Sequence, residues 1–111
     1  MARQRTNDDD IGGLARLLVD MVVDMNIKQS TEKEVRRRFG DDKIAGIEYE
    51  TNTIYLVKKL PHADKVRNLL HELAHYYRNE IKGIDTSIED EDVTEATAIK
   101  WQDKLYGKFD R

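Results

Sequence analysis

Residues 70–77, Leu-His-Glu-Leu-Ala-His-Tyr-Tyr, decide the fold because they combine an apolar helix face with two histidines at helical spacing. His71 and His75 are four residues apart, so their side chains leave the same face of an α-helix about 6 Å apart. The helical period extends over residues 63–82, and Gly83 is a typical helix end. The apolar face of this predicted helix consists of Val66, Leu69, Leu70, Leu73, Ala74 and Tyr77.

His71, Glu72 and His75 form the pattern His-Glu-x-x-His (HExxH), which is typical of zinc sites on helices. Two imidazole nitrogens on one helix face suit a single Zn²⁺ ion. Glu72 is rotated by about 100° from His71, so it can stand beside the metal and take a proton from water. A solvated helix that merely carries two histidines and a glutamate is the alternative interpretation.

A catalytic zinc needs a third protein ligand, and the composition restricts what that ligand can be. The chain has no cysteine, and the third of its histidines, His62, precedes the predicted helix in what we expect to be a loop. The third ligand should therefore be a carboxylate from the acidic stretch 85–95. Glu95, 20 residues after His75, is our prediction; Glu91, one turn earlier, is the alternative ligand or a carboxylate that orients a histidine.

Three further helices are predicted from periodicity and end signals. The first covers about residues 10–26, and the last covers about residues 90–106. Thr31 followed by Glu34 matches a capping box and predicts a short helix over residues 32–39. The apolar stripes that we expect in the core are Leu14, Leu17, Leu18, Met21, Val22 and Met25 in the first helix and Ala98, Trp101 and Leu105 in the last.

Between the short helix and the histidine helix, the apolar period changes to two. Ile47 and Tyr49 alternate with acidic residues, and the apolar run 54–57 follows a short polar turn. Residues 43–59 therefore predict a β-hairpin. The two lysines that follow the second strand are typical of a sheet edge.

Length and composition restrict the class of protein. With 111 residues, the chain is expected to form a single domain, 1–111, with flexible tails at 1–9 and 107–111. The net charge of −3 disfavours a general nucleic-acid binder. No apolar run approaches a membrane span, and the polar N-terminus has no signal-peptide pattern, so we expect a cytoplasmic protein without membrane contact.

The motif His71-Glu72-x-x-His75, with Glu95 further along the chain, resembles the gluzincin zinc metallopeptidases, and the small size is similar to that of minigluzincins. The resemblance covers roughly residues 43–105. It implies an α+β zincin-like core with N-terminal helices, a small and mostly antiparallel sheet, the HExxH active-site helix and a C-terminal glutamate helix. Because such a sheet usually has three or more strands, we expect a third strand that the sequence pattern does not reveal.

The resemblance also implies the chemistry. His71, His75 and Glu95 would bind one Zn²⁺ per chain, and the glutamate of the motif would act as general base in the hydrolysis of a peptide or unfolded protein. An edge strand would pair with the extended substrate, and strand 54–57 is the candidate. Tyr76 is a candidate donor to the oxyanion. Minimal relatives include latent forms, so weak activity and self-association are compatible with the resemblance.

Two other functions are open at this point. Glu95-Ala96-Thr97 is similar to the Glu-Ala-Asn element of the ImmA/IrrE group, which would imply cleavage of a regulatory protein. A function of another class is a non-catalytic helical module that binds a protein or nucleic acid through Arg36–Arg38. Three adjacent residues spread around a helix, so a solvated face is the simpler interpretation of these arginines.

Overall fold

The computed structural model describes residues 11–83 and 91–107. These residues form an α+β structure with four α-helices and a three-stranded mixed sheet. The predicted tails lie outside the described residues, except for Gly107, which ends a π-helical turn. In chain order the elements are α1 (Ile11–Val23), β1 (Asn26–Ser30), α2 (Glu32–Phe39), β2 (Ala45–Glu48), β3 (Thr53–Val57), α3 (His62–Tyr76) with a π-helical turn (Tyr77–Ile81), and α4 (Glu91–Gln102) with a second π-helical turn (Asp103–Gly107).

The first helix supplies part of the core, as its periodicity predicts. Leu14 and Met21 are almost fully buried, whereas Val22 is 37% exposed and does not join the core. The helix ends at Val23, earlier than predicted, because Asn26 already belongs to a strand. The predicted core stripe is therefore confirmed except at Val22, because Met25, just beyond the helix end, is also buried in the core.

The short helix α2 is capped as its sequence predicts. The hydroxyl of Thr31 accepts a hydrogen bond from the backbone N–H of Glu34 at 3.1 Å, which satisfies one free donor of the first turn. Gly40 ends the helix with a φ of 127°, a value that glycine adopts without strain. The Glu34 carboxylate is hydrogen-bonded to Arg37 and Arg38 on the same helix.

The sheet confirms the predicted hairpin and corrects its position. Strands β2 and β3 pair antiparallel, with Ile47 opposite Ile54. However, the strand order is β1-β3-β2, so strand 54–57 lies at the centre, and its prediction as an edge strand is wrong. Because β1 pairs with β3 in parallel, the sheet is mixed and not mostly antiparallel.

Strand β1 is the third strand that the sequence pattern does not reveal. Four of its five side chains are exposed, so no apolar alternation marks it. Backbone hydrogen bonds hold it instead: Asn26 N–H donates to the carbonyl of Asn52, and Lys58 N–H donates to the carbonyl of Ser30, both at 2.8 Å. A strand that is stabilised by backbone hydrogen bonds alone has no apolar side-chain pattern by which the sequence could reveal it.

The central strand β3 separates two apolar clusters. Ile54 and Leu56 join one cluster with α1, α3 and α4, while Tyr55 and Val57 join the other with Val35 of α2. All five residues of β3 are buried, which explains why this strand is apolar on both faces. The sheet is thus covered by α2 on one side and by the other helices on the opposite side.

Helix α3 lies against this sheet with its predicted apolar face in the core. It begins at His62, so the prediction that His62 lies in a preceding loop is wrong. Pro61 occupies the cap with a φ of −56°, and its missing N–H is no loss at a helix start. Tyr77 and Trp101 pack edge to face, with centroids 5.5 Å apart, and join α4 to the end of α3. Among the described helices, none has the length and apolarity needed to cross a bilayer.

Candidate metal centre

The two histidines of the HExxH pattern face the first turns of α4. Helices α3 and α4 share the larger core cluster, in which Ala74 of α3 and Ala98 of α4 are fully buried. Their small side chains let the two helices lie close together. As a result, the ridge that carries His71 and His75 meets acidic side chains one turn apart on α4.

Glu91 joins the two histidines. One of its oxygens lies 2.8 Å from Nε2 of His71, and the other lies 3.2 Å from Nε2 of His75. The imidazole centroids are 4.8 Å apart, and the rings are inclined at 80°. One donor atom from each of the three residues lies within 4.8 Å of the others, which makes them a candidate metal-binding cluster within the described part of the chain.

The hydrogen-bonding chemistry of His71 favours a cation in this cluster. Its Nδ1 atom lies 2.7 Å from a Glu95 oxygen, and its Nε2 atom lies 2.8 Å from a Glu91 oxygen. An ionised carboxylate only accepts hydrogen bonds, whereas a neutral imidazole has a single N–H. In the tautomer whose Nδ1–H donates to Glu95, the Nε2 lone pair faces Glu91, an arrangement that suits a metal ion held by both groups.

The donor set fits zinc. Zinc binds histidine nitrogen and carboxylate oxygen at about 2.0–2.1 Å, and a tetrahedral shell then separates neighbouring ligand atoms by about 3.3 Å. The two nitrogen–oxygen separations in the cluster, 2.8 and 3.2 Å, involve different oxygens of Glu91, and each is close to that edge length. The atoms that would hold the ion are Nε2 of His71, Nε2 of His75 and the carboxylate of Glu91. One of four positions would stay open.

Glu95 lies outside this cluster and contacts the far side of His71. One oxygen faces Nδ1, and the other accepts hydrogen bonds from Arg67, one of them at 3.0 Å from Nε. Burial tends to raise the pKa of Glu95, but the hydrogen bonds from Arg67 and His71 outweigh it and lower the pKa. Arg67 is not among the predicted site residues, although its spacing of four residues from His71 places both on one helix face.

Burial also changes the proton affinity of the catalytic candidates. Glu72 is 7% exposed, and burial raises its pKa to about 7 although the charge of His71 opposes this. Burial lowers the pKa of His75, against the opposing effect of Glu91, and so favours the neutral imidazole that binds metals. The site thus combines a neutral imidazole with a carboxyl whose pKa lies near neutrality.

A cleft of about 360 Å³ adjoins the cluster. Residues 42–45, at the start of β2, form one wall, and His71 and Glu72 of α3 lie on the opposite wall with Glu95 beside them. The candidate base and one candidate ligand therefore open onto a space that can hold part of a ligand molecule.

The other predicted site residues do not line this cleft. Tyr76 packs against the larger core cluster. His62 is exposed at the start of α3, outside the metal-binding cluster. Strand 54–57 is bonded to a neighbouring strand on each side and cannot pair with a substrate, so that prediction is wrong. The strand whose first residue, Ala45, borders the cleft is β2, which lies at the edge of the described sheet.

The arginines of α2 are opposed by nearby glutamates. Arg36 is paired with Glu32, and both Arg37 and Arg38 are paired with Glu34. Arg38 also contacts Glu48 at 3.3 Å. This arrangement is typical of a solvated helix face with intrahelical ion pairs.

Comparison of the chain with protein-family models, with curated proteins and with solved structures gives no match. The resemblance to gluzincins and to the ImmA/IrrE group therefore stays a prediction from the HExxH pattern and its spacing.

Proposed function

We propose that this chain is a zinc-dependent peptidase that hydrolyses peptide bonds in a peptide or an unfolded protein. The observation that supports this most is the convergence of His71, His75 and Glu91 beside a cleft onto which Glu72 opens. Three protein ligands leave a position open for chemistry, whereas zinc sites that only stabilise a fold usually have four.

In this proposal the protein holds the metal through Nε2 of His71, Nε2 of His75 and the carboxylate of Glu91. Glu95 accepts the Nδ1–H of His71 and thereby sets the tautomer and the ring orientation, while Arg67 holds Glu95 in place. When bound, the metal supplies a Lewis acid that polarises the scissile carbonyl and lowers the pKa of the attacking water to near 7. In this proposal the third ligand is therefore Glu91, whereas the sequence predicts Glu95.

Glu72 is the general base of the proposed reaction. It takes a proton from the attacking water as the bond between the water oxygen and the carbonyl carbon forms. It then gives that proton to the leaving nitrogen as the carbon–nitrogen bond breaks. A carboxyl whose pKa lies near the working pH is suited to both transfers, and burial raises the pKa of Glu72 into that range.

Strand β2 is the part of the sheet that would guide the substrate. It is an edge strand, and the residues that precede and begin it, Ile44 and Ala45, line the cleft opposite Glu72. An extended peptide could add to this edge through backbone hydrogen bonds and present a bond to the metal. This assigns to β2 the role that the sequence assigns to strand 54–57.

The test is elemental analysis of the purified protein combined with cleavage of an unfolded protein. We expect about one zinc per chain and loss of cleavage on chelation. Glu72→Gln should retain the zinc and lose cleavage by about 100-fold or more, because only the proton acceptor is removed. Glu50→Gln, an exposed change in the turn between β2 and β3, is the matched control and should behave as the parent. Parental cleavage by Glu72→Gln would contradict the mechanism.

A further inference from the structure

The cleft beside the metal-binding cluster contains a cationic side chain that the proposed mechanism does not use. Lys43 lies on the wall opposite α3, just before β2, and it is exposed. Its backbone N–H donates to the carbonyl of Gly40 at 3.1 Å, which holds the backbone in the turn after α2. The backbone is thus anchored, while the ammonium group extends from it.

The other cation of the cleft is already engaged. Arg67 is ion-paired with Glu95. The neighbouring polar side chain, Asn68, is also engaged, because its amide donates to the carbonyl of Asp64 at 2.8 Å. Within the described part of the chain, no hydrogen bond or ion pair of the Lys43 ammonium is found. Lys43 therefore has a charge that is available to a bound molecule.

The Lys43 charge also acts on the catalytic side of the cleft. Burial raises the pKa of Glu72 and lowers that of His75, and the positive charge of Lys43 lowers both. Lys43 and Glu72 line the same cleft, so the ammonium can act on a molecule that binds beside Glu72.

We propose that Lys43 is a substrate-binding residue whose ammonium binds an anionic oxygen of the peptide beside Glu72. This inference rests on the proposed peptidase function. The oxygen has two possible sources. One is the scissile carbonyl, whose π-electron pair moves onto oxygen when water adds and returns when the amine leaves. The other is a carboxylate that the peptide already carries. An ammonium binds either through charge-assisted hydrogen bonds.

Binding can be measured without turnover on the zinc-loaded Glu72→Gln protein, by calorimetry with acetyl-Ala-Ala as the free carboxylate and as the amide. Adding Lys43→Met should weaken carboxylate binding by about fivefold and leave amide binding unchanged. Adding Lys43→Arg should retain binding, because it keeps the charge. Lys59→Met, an exposed change in the turn after β3, is the control. The inference would be overturned if Lys43→Met left both the carboxylate binding and the kcat for a neutral peptide unchanged.

Kinetics with the parent and Lys43→Met distinguish the two sources of the anionic oxygen. If the source is the scissile carbonyl, kcat falls for a neutral amidated peptide and for the same peptide with a free carboxylate. If the source is a substrate carboxylate, KM rises for the free carboxylate alone. A further outcome is that the unsubstituted protein binds the carboxylate through Lys43 and yet hydrolyses neither peptide. That result would contradict the proposed peptidase function and would still support an anion-binding site at Lys43.

Discussion

The Nδ1 atom of His71 lies 2.7 Å from a carboxylate oxygen of Glu95. The opposite nitrogen of the same ring faces Glu91 at 2.8 Å. The imidazole therefore lies between two carboxylates that leave α4 one turn apart. A histidine that binds a metal through Nε2 usually donates its Nδ1–H to an outer partner, so in the proposed zinc site Glu95 would orient the ring and Glu91 would be the ligand.

The first prediction separates these two roles by zinc affinity. Glu95→Ala should weaken zinc binding by about 10–100-fold, as is typical of an outer hydrogen-bond partner. Glu91→Ala should weaken it further, because a direct ligand is lost. Competition with a chelator of known affinity measures both, with Glu50→Ala as an exposed control. A larger loss for Glu95→Ala would return the ligand role to Glu95.

The second prediction concerns the pH dependence of the metal-free protein. The folded pKa of Glu72, about 7, exceeds the ordinary value of 4.5, so the unfolded chain binds fewer protons between these values. The contribution of Glu72 to the free energy of unfolding therefore falls as the pH rises from 4.5 to 7. In chelator, Glu72→Gln should be more stable than the parent at pH 8, by up to about 3 kcal/mol, and equal to it at pH 4. Urea denaturation at both pH values measures this; a difference that does not change with pH would contradict the prediction.

The third prediction concerns the contact between α2 and β2. A Cβ atom on Gly46 would overlap the ring of Phe39, because the two would be closer than side chains tolerate. Gly46→Ala should therefore lower the free energy of unfolding by about 1–3 kcal/mol. In the Phe39→Ala background the same change should cost much less, because the clashing ring is gone. Equal costs in both backgrounds would show that the ring is not the cause.

The control is Gly12→Ala, at an exposed position of α1. It should stabilise the protein, because alanine has a higher helix propensity than glycine.

The fourth prediction concerns the cap of α2. Thr31→Ala removes the hydroxyl that accepts the Glu34 N–H and should destabilise the protein by about 1 kcal/mol. Thr31→Ser keeps the acceptor and should remain close to the parent. Both can be compared by urea denaturation at neutral pH. A serine variant as unstable as the alanine variant would mean that the methyl group, and not the hydrogen bond, is what matters.

The sequence determined those features that depend on local periodicity and on end signals. The apolar faces of α1, α3 and α4, the cap at Thr31 and the β-hairpin follow from side chains a few residues apart, and the structure confirms them. The spacing of His71 and His75 also places both imidazoles on one face, because four residues make about one helical turn.

Tertiary structure alone decided the features that depend on which elements meet. Strand β1 has no apolar alternation, so only its pairing with β3 identifies it, and that pairing moves strand 54–57 from the edge to the centre. Likewise, Glu91 and Glu95 are both acidic residues at the start of a helix. Only the packing of α4 on α3 puts Glu91 at the Nε2 atoms and Glu95 at Nδ1, because the angle and offset between two helices are set by their buried contacts and not by the spacing of charges along one of them.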